Sequence, residues 1–220
     1  MENPEVRLTA DGSKTLYLPH LDETYHSSHG AIQESVHVFI EHGLTYISQQ
    51  TESITVFEMG FGTGLNALLT ALWAQKHQRT VQYIGVELHP ISEDLWRQME
   101  FVQVKSEIDL YIKIMSSEWE EFQEINPYFE LKKIEKDVLQ LELQEQVDLV
   151  YYDAFGPRAQ SEMWEIPVLT KMHELLKPGG VFVTYCAQGQ MKRNLKTLGF
   201  ELTELPGPPG KRVMTRATKS

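Results

Sequence analysis

A chain of 220 residues, 41% of them hydrophobic, can build one domain with a full core but is short for two. Its 20 Lys and Arg against 31 Asp and Glu leave a net charge of −11, which argues against a general nucleic-acid binder because phosphate contacts need cations. No long apolar run or basic-then-apolar leader is present, and the single cysteine, Cys186, excludes an intramolecular disulfide and a multi-cysteine zinc site, so a cytoplasmic protein with no membrane span and no metal is the simplest expectation.

Residues 1–50 are expected to form an N-terminal extension packing on a core of residues 51–220 that ends in a basic hairpin. Leu16-Tyr17-Leu18 reads as a short strand, and Ala31 to Ile40 as a helix with Ile32, Val36, Phe39 and Ile40 on one face. Between them, Tyr25 to Gly30 is polar and turn-like. His26 and His29 have a spacing suited to chelation, but no third ligand stands nearby, and they read as surface histidines.

The stretch from Ile54 to Leu69 passes from a β-branched and aromatic run through alternate glycines into helix-favouring residues, the pattern of strand, tight turn and helix. Glycines let the backbone approach a ligand, and the helix that follows points free N–H groups into the same space. A dinucleotide fingerprint would need a small residue where Leu65 stands. The series Glu58-x-Gly60-x-Gly62-x-Gly64 instead resembles the first motif of class I S-adenosylmethionine-dependent methyltransferases.

Leu65 to about Lys76 reads as the first crossover helix and Val81 to Glu87 as the second strand. Glu87, about twenty residues beyond the glycines, is placed to accept from both hydroxyls of a ribose. Ile91 to about Phe122 has a helical pattern, and Phe129 to Lys136 reads as a third strand. Asp137 after it either accepts from an adenine amine or begins a helix. Val147 to Asp153 is the fourth strand, which puts Asp153 at a carboxyl end, where doubly wound sheets bind ligands. A helix from about Pro167 to Leu176, the turn Lys177-Pro178-Gly179-Gly180, a strand Val181 to Cys186, and a last hairpin from Leu198–Leu205 and Arg212–Thr218 complete the series. In the tail Lys192, Arg193, Lys196, Lys211, Arg212, Arg216 and Lys219 face only Glu201 and Glu204. Such a tail either holds a folded RNA or is a solvated end.

Several of these motifs together resemble one family. Ser28-His29-Gly30-Ala31-Ile32-Gln33-Glu34-Ser35, Gly60-Phe61-Gly62-Thr63-Gly64-Leu65-Asn66, Asp153-Ala154-Phe155-Gly156-Pro157, Met163-Trp164, Pro178-Gly179-Gly180 and Gly210-Lys211-Arg212-Val213-Met214 are similar to the methyltransferase domain of the bacterial enzyme that completes 5-methylaminomethyl-2-thiouridine at the tRNA wobble position. The resemblance implies a Rossmann-like α/β fold with a mostly parallel seven-stranded sheet and helices on both faces. It also implies methyl transfer from S-adenosyl-L-methionine to the amine of 5-aminomethyl(-2-thio)uridine in tRNA. Many members carry a fused flavin-dependent oxidoreductase for which 220 residues leave no room, so a stand-alone enzyme, supplied by a separate one that makes the aminomethyl-uridine, is expected.

On this reading Glu58, Gly60, Gly62, Gly64, Asn66, Glu87, Asp137 and Asp153 hold the cofactor. Asp153 takes or relays a proton from the amine, with Phe155 and Pro157 as an apolar wall. Tyr152 or Trp164 stacks on the flipped base, Trp164 alternatively being a packing aromatic. Lys192, Arg193, Lys211 and Arg212 are candidates for phosphate contacts. A class I methyltransferase for a small amine or another RNA is the nearest alternative. A nicotinamide-dependent oxidoreductase conflicts with Leu65, a non-catalytic RNA-binding module has no need of Asp153-x-Phe155-x-Pro157, and the paired-acid glycine motif of aminopropyl transferases is not found.

Overall fold

The computed structural model describes residues 4–143 and 145–220; residues 1–3, the start of the expected extension, lie outside the described residues. Three short strands, β1 (Glu5–Leu8), β2 (Lys14–Leu18) and β3 (Glu23–Thr24), form a small antiparallel sheet. Its first turn prepares the start of the next helix, whose leading N–H groups have no partner within the helix itself. Asp11 Oδ2 accepts from the Gln33 N–H at 3.2 Å, and Ser13 Oγ accepts from the Ala31 N–H at 3.3 Å.

That helix begins as α1 (Ala31–Ser35), widens into a π-helical stretch, Val36–Leu44, and closes as α2 (Thr45–Ile47). Its buried stripe is Ala31, Glu34, Ser35, Val38 and Phe39, at spacings of three and four, while Ile32 and Val36 of the expected face are only half-buried. The apolar stripe is turned because it admits a carboxylate, Glu34, which has a partner inside.

The main sheet is built from β4 (Ile54–Met59), β5 (Val81–Glu87), β6 (Gln123–Asn126), β7 (Phe129–Glu135), β8 (Val147–Tyr152), β9 (Leu176–Thr184), β10 (Phe200–Pro206) and β11 (Val213–Lys219). Their order is β10-β11-β9-β8-β4-β5-β7-β6. The five central strands pair in parallel, and β6, β10 and β11 are antiparallel. The sheet has eight strands where seven were expected, because Gln123–Asn126 adds an antiparallel edge beside β7.

Parallel strands are covered on both faces. Helix α3 (Leu65–His77) packs on one, and the short α4 (Glu93–Trp96) is followed by α5 (Lys105–Ser116) on that same side; α6 (Ile166–Leu175) and α7 (Gly189–Thr197) pack on the other. Along β8 the pleat sends Leu149 and Tyr151 to the first layer and Val150 and Tyr152 to the second. The single helix expected from Ile91 to Phe122 is broken between α4 and α5. Met99 and Phe101 there are both buried, a period of two that an extended segment satisfies and a helix does not.

Asp148 fixes the register where three strands meet. Its Oδ2 accepts from the Thr55 N–H of β4 at 2.8 Å, and its Oδ1 accepts from Lys177 Nζ at 2.7 Å. Lys177 lies in the bulge where the partners of β9 jump from Leu176 opposite Val147 to Val181 opposite Leu149. The lysine side chain is 43% exposed, so its ion pair contributes about 0–1 kcal/mol, less than the buried bond to the backbone. Asp148→Ala is therefore expected to cost about 1–3 kcal/mol in urea unfolding by orphaning the Thr55 N–H, and Asp148→Asn, which keeps an acceptor there, to cost less.

Candidate active site

The glycine turn leaves β4 at the switch point, between β5 on one side and β8 on the other. Gly60 and Gly62 have φ of 87° and 49°, in the left-handed region. A Cβ on Gly60 would lie 2.9 Å from the Asp153 carbonyl oxygen, and one on Gly62 would lie 3.0 Å from the Tyr25 ring. Glycine is thus required by both backbone conformation and close approach. The Glu87 carboxylate at the end of β5 braces the loop: Oε2 accepts from the Gly62 N–H and Oε1 from the His89 N–H, each at 3.0 Å.

A cavity of about 580 Å³ opens above the strand ends, lined by Gly60, Gly62, Asn66, Glu87, Asp137 and Asp153 among others. The β2–β3 segment covers part of it through Leu18, His20 and Tyr25. Asp137 closes one side, with Oδ1 accepting from the Leu139 N–H at 2.9 Å.

At the floor, one amide joins two acids. Asn66 Nδ2 donates to Glu58 Oε1 at 2.8 Å and to Asp153 Oδ2 at 2.9 Å. Burial holds the Glu58 carboxyl well above the ordinary carboxylate range and so favours its neutral form. Burial, with the nearby Glu34 charge, pushes Asp153 up to about 7, opposed by the Asn66 hydrogen bond and by Lys211.

Asp153 also borders a second cavity of about 270 Å³, enclosed by Tyr25, Glu34, Phe155, Tyr185 and Lys211 among others. Tyr25 and Phe155 meet edge to face with centroids 5.1 Å apart, and both line the two cavities. Tyr185 donates its hydroxyl to the Ala154 carbonyl at 2.8 Å. Glu34 Oε2 accepts from the Ser27 N–H at 2.9 Å while Oε1 pairs with Lys211 Nζ.

Several expected site residues stand elsewhere. Glu58 is 1% exposed and lines neither cavity, because Asn66 lies between it and the open space. Gly64 lines neither and packs against Met115 at the start of α3. Pro157 also lies outside both linings, leaving Phe155 as the apolar wall. Tyr152 and Trp164 do not offer a face to a base. Both are buried, ring against ring at 5.0 Å, with the Tyr152 hydroxyl donating to the Met163 carbonyl and Trp164 Nε1 to the Phe155 carbonyl.

Among the cations, Lys192 is paired with Glu204 and Lys211 points into the second cavity, while Arg193 and Arg212 are exposed. His26, expected at the surface, is half-buried, and its enclosure lowers its pKa to about 4. Its ring spans Thr15 Oγ1 and Thr63 Oγ1 at 3.1 and 3.2 Å, tying the extension to the glycine loop. Tyr25, Glu34 and Tyr185 were not singled out as site residues. Glu34 lies off the apolar face expected from the sequence, Ile32, Val36, Phe39 and Ile40, so no local signal marked it. Among the described residues no group of three or more His, Cys, Asp or Glu is arranged to hold a metal ion, and no helix is long and apolar enough to cross a membrane.

Residues 100–220 match a family described as S-adenosyl-L-methionine-dependent methyltransferase. The tRNA 5-methylaminomethyl-2-thiouridine biosynthesis bifunctional protein MnmC of Burkholderia multivorans is 32% identical over 216 residues, covering 91% of this chain and 33% of that protein. The protein of the same name from Cupriavidus necator is 29% identical over 231 residues, covering 99% of this chain and 35% of its own. The chain thus spans about a third of the length of these curated relatives. The crystal structure of MnmC2 from Aquifex aeolicus aligns with 100% of this chain and 71% of its own, with a TM-score of 0.81 and 26% identity. DesVI from Streptomyces venezuelae, at 12% identity and a TM-score of 0.54 over 86% of this chain and 93% of its own, shares the fold alone. The fold is the Rossmann-like class I methyltransferase architecture.

The raised Asp153 carboxyl couples stability to pH. Between its ordinary value of 3.8 and about 7, the folded protein keeps a proton that the unfolded chain has released, so this group's contribution to stability falls as pH rises through that window and stays low above it. Asp153→Asn removes the ionising group, and its melting temperature is expected to exceed that of the wild type above pH 7, with the gap narrowing toward pH 4; equal temperatures throughout would contradict the assignment.

Proposed function

The chain belongs to the S-adenosyl-L-methionine-dependent methyltransferase family, and from that premise we propose that it methylates the amine of 5-aminomethyl(-2-thio)uridine at the tRNA wobble position. The product is 5-methylaminomethyl(-2-thio)uridine. One observation carries the reading: the Asp153 carboxylate stands on the wall shared by the two cavities, the larger suited to the cofactor and the smaller to an acceptor amine. The relatives named for 5-methylaminomethyl-2-thiouridine biosynthesis support the choice of acceptor.

The larger cavity fits the cofactor on three counts. Its volume lies within the roughly 300–1,000 Å³ of small-molecule sites. Gly60 and Gly62 leave backbone exposed where side chains would intrude, and the two Glu87 oxygens retain lone pairs beyond those used by Gly62 and His89. Gly60, Gly62, Asn66, Glu87, Asp137 and Asp153 are the residues that would hold it. When bound, S-adenosyl-L-methionine supplies an electrophilic methyl group on a sulfonium.

The protein's tasks are then to hold an amine in line and to keep it neutral. An alkylamine arrives mostly as ammonium, and Asp153, with its carboxyl at about 7, is matched to take that proton near neutral pH and release it to solvent afterwards. Positioning does much of the remaining work, since well-oriented groups reach effective molarities of about 10⁵ M or more. Phe155 and Tyr25 present aromatic surface where the splayed base would enter, and the exposed Arg193, Lys196 and Arg212 are the phosphate contacts in this reading. A preceding reaction supplies the aminomethyl group.

A small-amine acceptor is the second reading, favoured by one observation: much of the basic tail is engaged internally. Arg216 lies 3.6 Å from the Tyr46 ring centroid, and Lys219 Nζ donates to the carbonyls of His173 and Leu176 at 2.8 and 2.7 Å.

Labelled methyl from S-adenosyl-L-methionine is expected to enter aminomethyl-uridine tRNA and appear as methylaminomethyl-uridine by nucleoside mass spectrometry; label only in small amines would transfer the assignment to the second reading. Asp153→Asn is expected to abolish this turnover, and the wild-type kcat/KM to rise with pH to a plateau above about 7. Glu87→Ala is expected to weaken cofactor binding by about 2 kcal/mol, roughly thirty-fold, and an unchanged Kd by calorimetry would remove Glu87 from the cofactor site.

A further inference from the structure

Resting on that reading of the smaller cavity, we propose that Glu34 is the carboxylate that recognises the acceptor ammonium and that Lys211 is a built-in stand-in for it, displaced when the acceptor enters. Glu34 is 7% exposed, on the buried stripe of its helix, where an acid has no packing purpose. Among the described residues its one charged partner is Lys211, 177 residues away along the chain.

The lysine shows what this cavity binds. Its Nζ pairs with Glu34 Oε1 and lies 3.7 Å from the centroid of the Tyr185 ring. A carboxylate and an aromatic face are two groups that hold a primary ammonium in a desolvated place. Asp153 borders the same cavity, so an ammonium held by Glu34 is beside the group that accepts its proton. Among the described residues, Glu23, Glu34 and Asp153 face this space against the single cation Lys211, and His26 on its wall is neutral at physiological pH.

Exchange then discriminates between acceptors. Removing Lys211 alone leaves a buried carboxylate with the Ser27 N–H but without its counter-charge, a costly state. An incoming ammonium repairs that loss, whereas a hydroxyl does so only weakly and a carboxylate is repelled. The arrangement therefore selects amine acceptors over hydroxyl and acid acceptors that the same methyl donor could serve. Lys211 is suited to leaving, since it follows the Pro206–Gly210 turn and carries its charge on a flexible four-carbon stem.

The probe is benzylamine, an aromatic ring bearing an aminomethyl cation, titrated by calorimetry into the full-length protein saturated with S-adenosyl-L-homocysteine, with benzyl alcohol as the neutral control. Lys211→Met is expected to bind benzylamine roughly ten-fold tighter than wild type, because the competing ammonium is gone. Adding Glu34→Gln should erase the gain, Lys211→Arg should restore weak binding, and benzyl alcohol should not distinguish the variants. Benzylamine binding that is no tighter in Lys211→Met, or a gain that survives Glu34→Gln in a variant that melts cooperatively, would overturn the proposal. In turnover, Glu34→Gln is expected to raise KM for aminomethyl-uridine tRNA roughly ten-fold with a smaller effect on kcat and none on cofactor Kd. If the benzylamine pattern holds while tRNA is never methylated, the ammonium site stands and the tRNA assignment falls.

Discussion

One amide group makes a single site out of two crossover units. Asn66 stands at the start of α3, Glu58 in β4 and Asp153 just past β8, and the two N–H groups of one side chain are divided between the two acids. Carboxyls brought this close repel when both are ionised, and their environments separate their roles. Glu58 is buried behind the amide and favours the neutral form, while Asp153 faces open space and titrates near neutrality. The fold thus places a carboxyl raised to about 7 at the sheet's switch point without leaving two like charges in contact. The absent side chain of Gly60, pressed against the Asp153 carbonyl, permits the same approach in the backbone.

The second cavity depends on the two ends of the sequence meeting. Tyr25 leans on Gly62 and Phe155, Ser27 and Lys211 both bond Glu34, and His37 Nε2 donates to the Pro206 carbonyl at 2.8 Å. These contacts join the first forty residues to the last hairpin across the open edge of the methyltransferase core. The first sheet therefore does more than cover the larger cavity. It positions the helix whose Glu34 lines the smaller one.

What was legible in the sequence is what chain-local chemistry determines. The alternate glycines, Glu87 at a strand end and Asp153 at the next were placed by the rule that ligands gather at the carboxyl ends of a doubly wound sheet, a rule that needs only strand boundaries. Glu34, Tyr185 and Lys211 converge from opposite ends of the chain, and no local pattern joins them. Tyr152 or Trp164 was expected to stack on the substrate base, with packing as the alternative for Trp164, but the pleat of β8 turns Tyr152 into the layer below and Trp164 packs there beside it. The break at Met99 and Phe101 was hidden by apolar residues before and after it that fit a helical spacing. The sparse buried pair Met191 and Leu195 likewise left α7 unmarked.

Charge shows most clearly how the site must work. The protein carries a net charge of −11, and Lys192, Lys211, Arg216 and Lys219 each have a partner within the fold, so a charge count overstates the cations available to an anionic substrate. Affinity built on many phosphate contacts falls by orders of magnitude with modest increases in salt, whereas affinity built on a few falls gently. With Arg193, Lys196 and Arg212 as the exposed cations of the tail, the backbone grip on the proposed tRNA substrate would be short, and discrimination would reside at the reacting base. There the charge is inverted. Glu23, Glu34 and Asp153 line the smaller cavity, Lys211 is the one Lys or Arg among the described residues lining it, and in the proposed exchange the acceptor carries its own ammonium to replace it. The proposed methylation of a polyanion by an acidic protein is thus consistent on one condition, that the protein recognises the cation the polyanion carries.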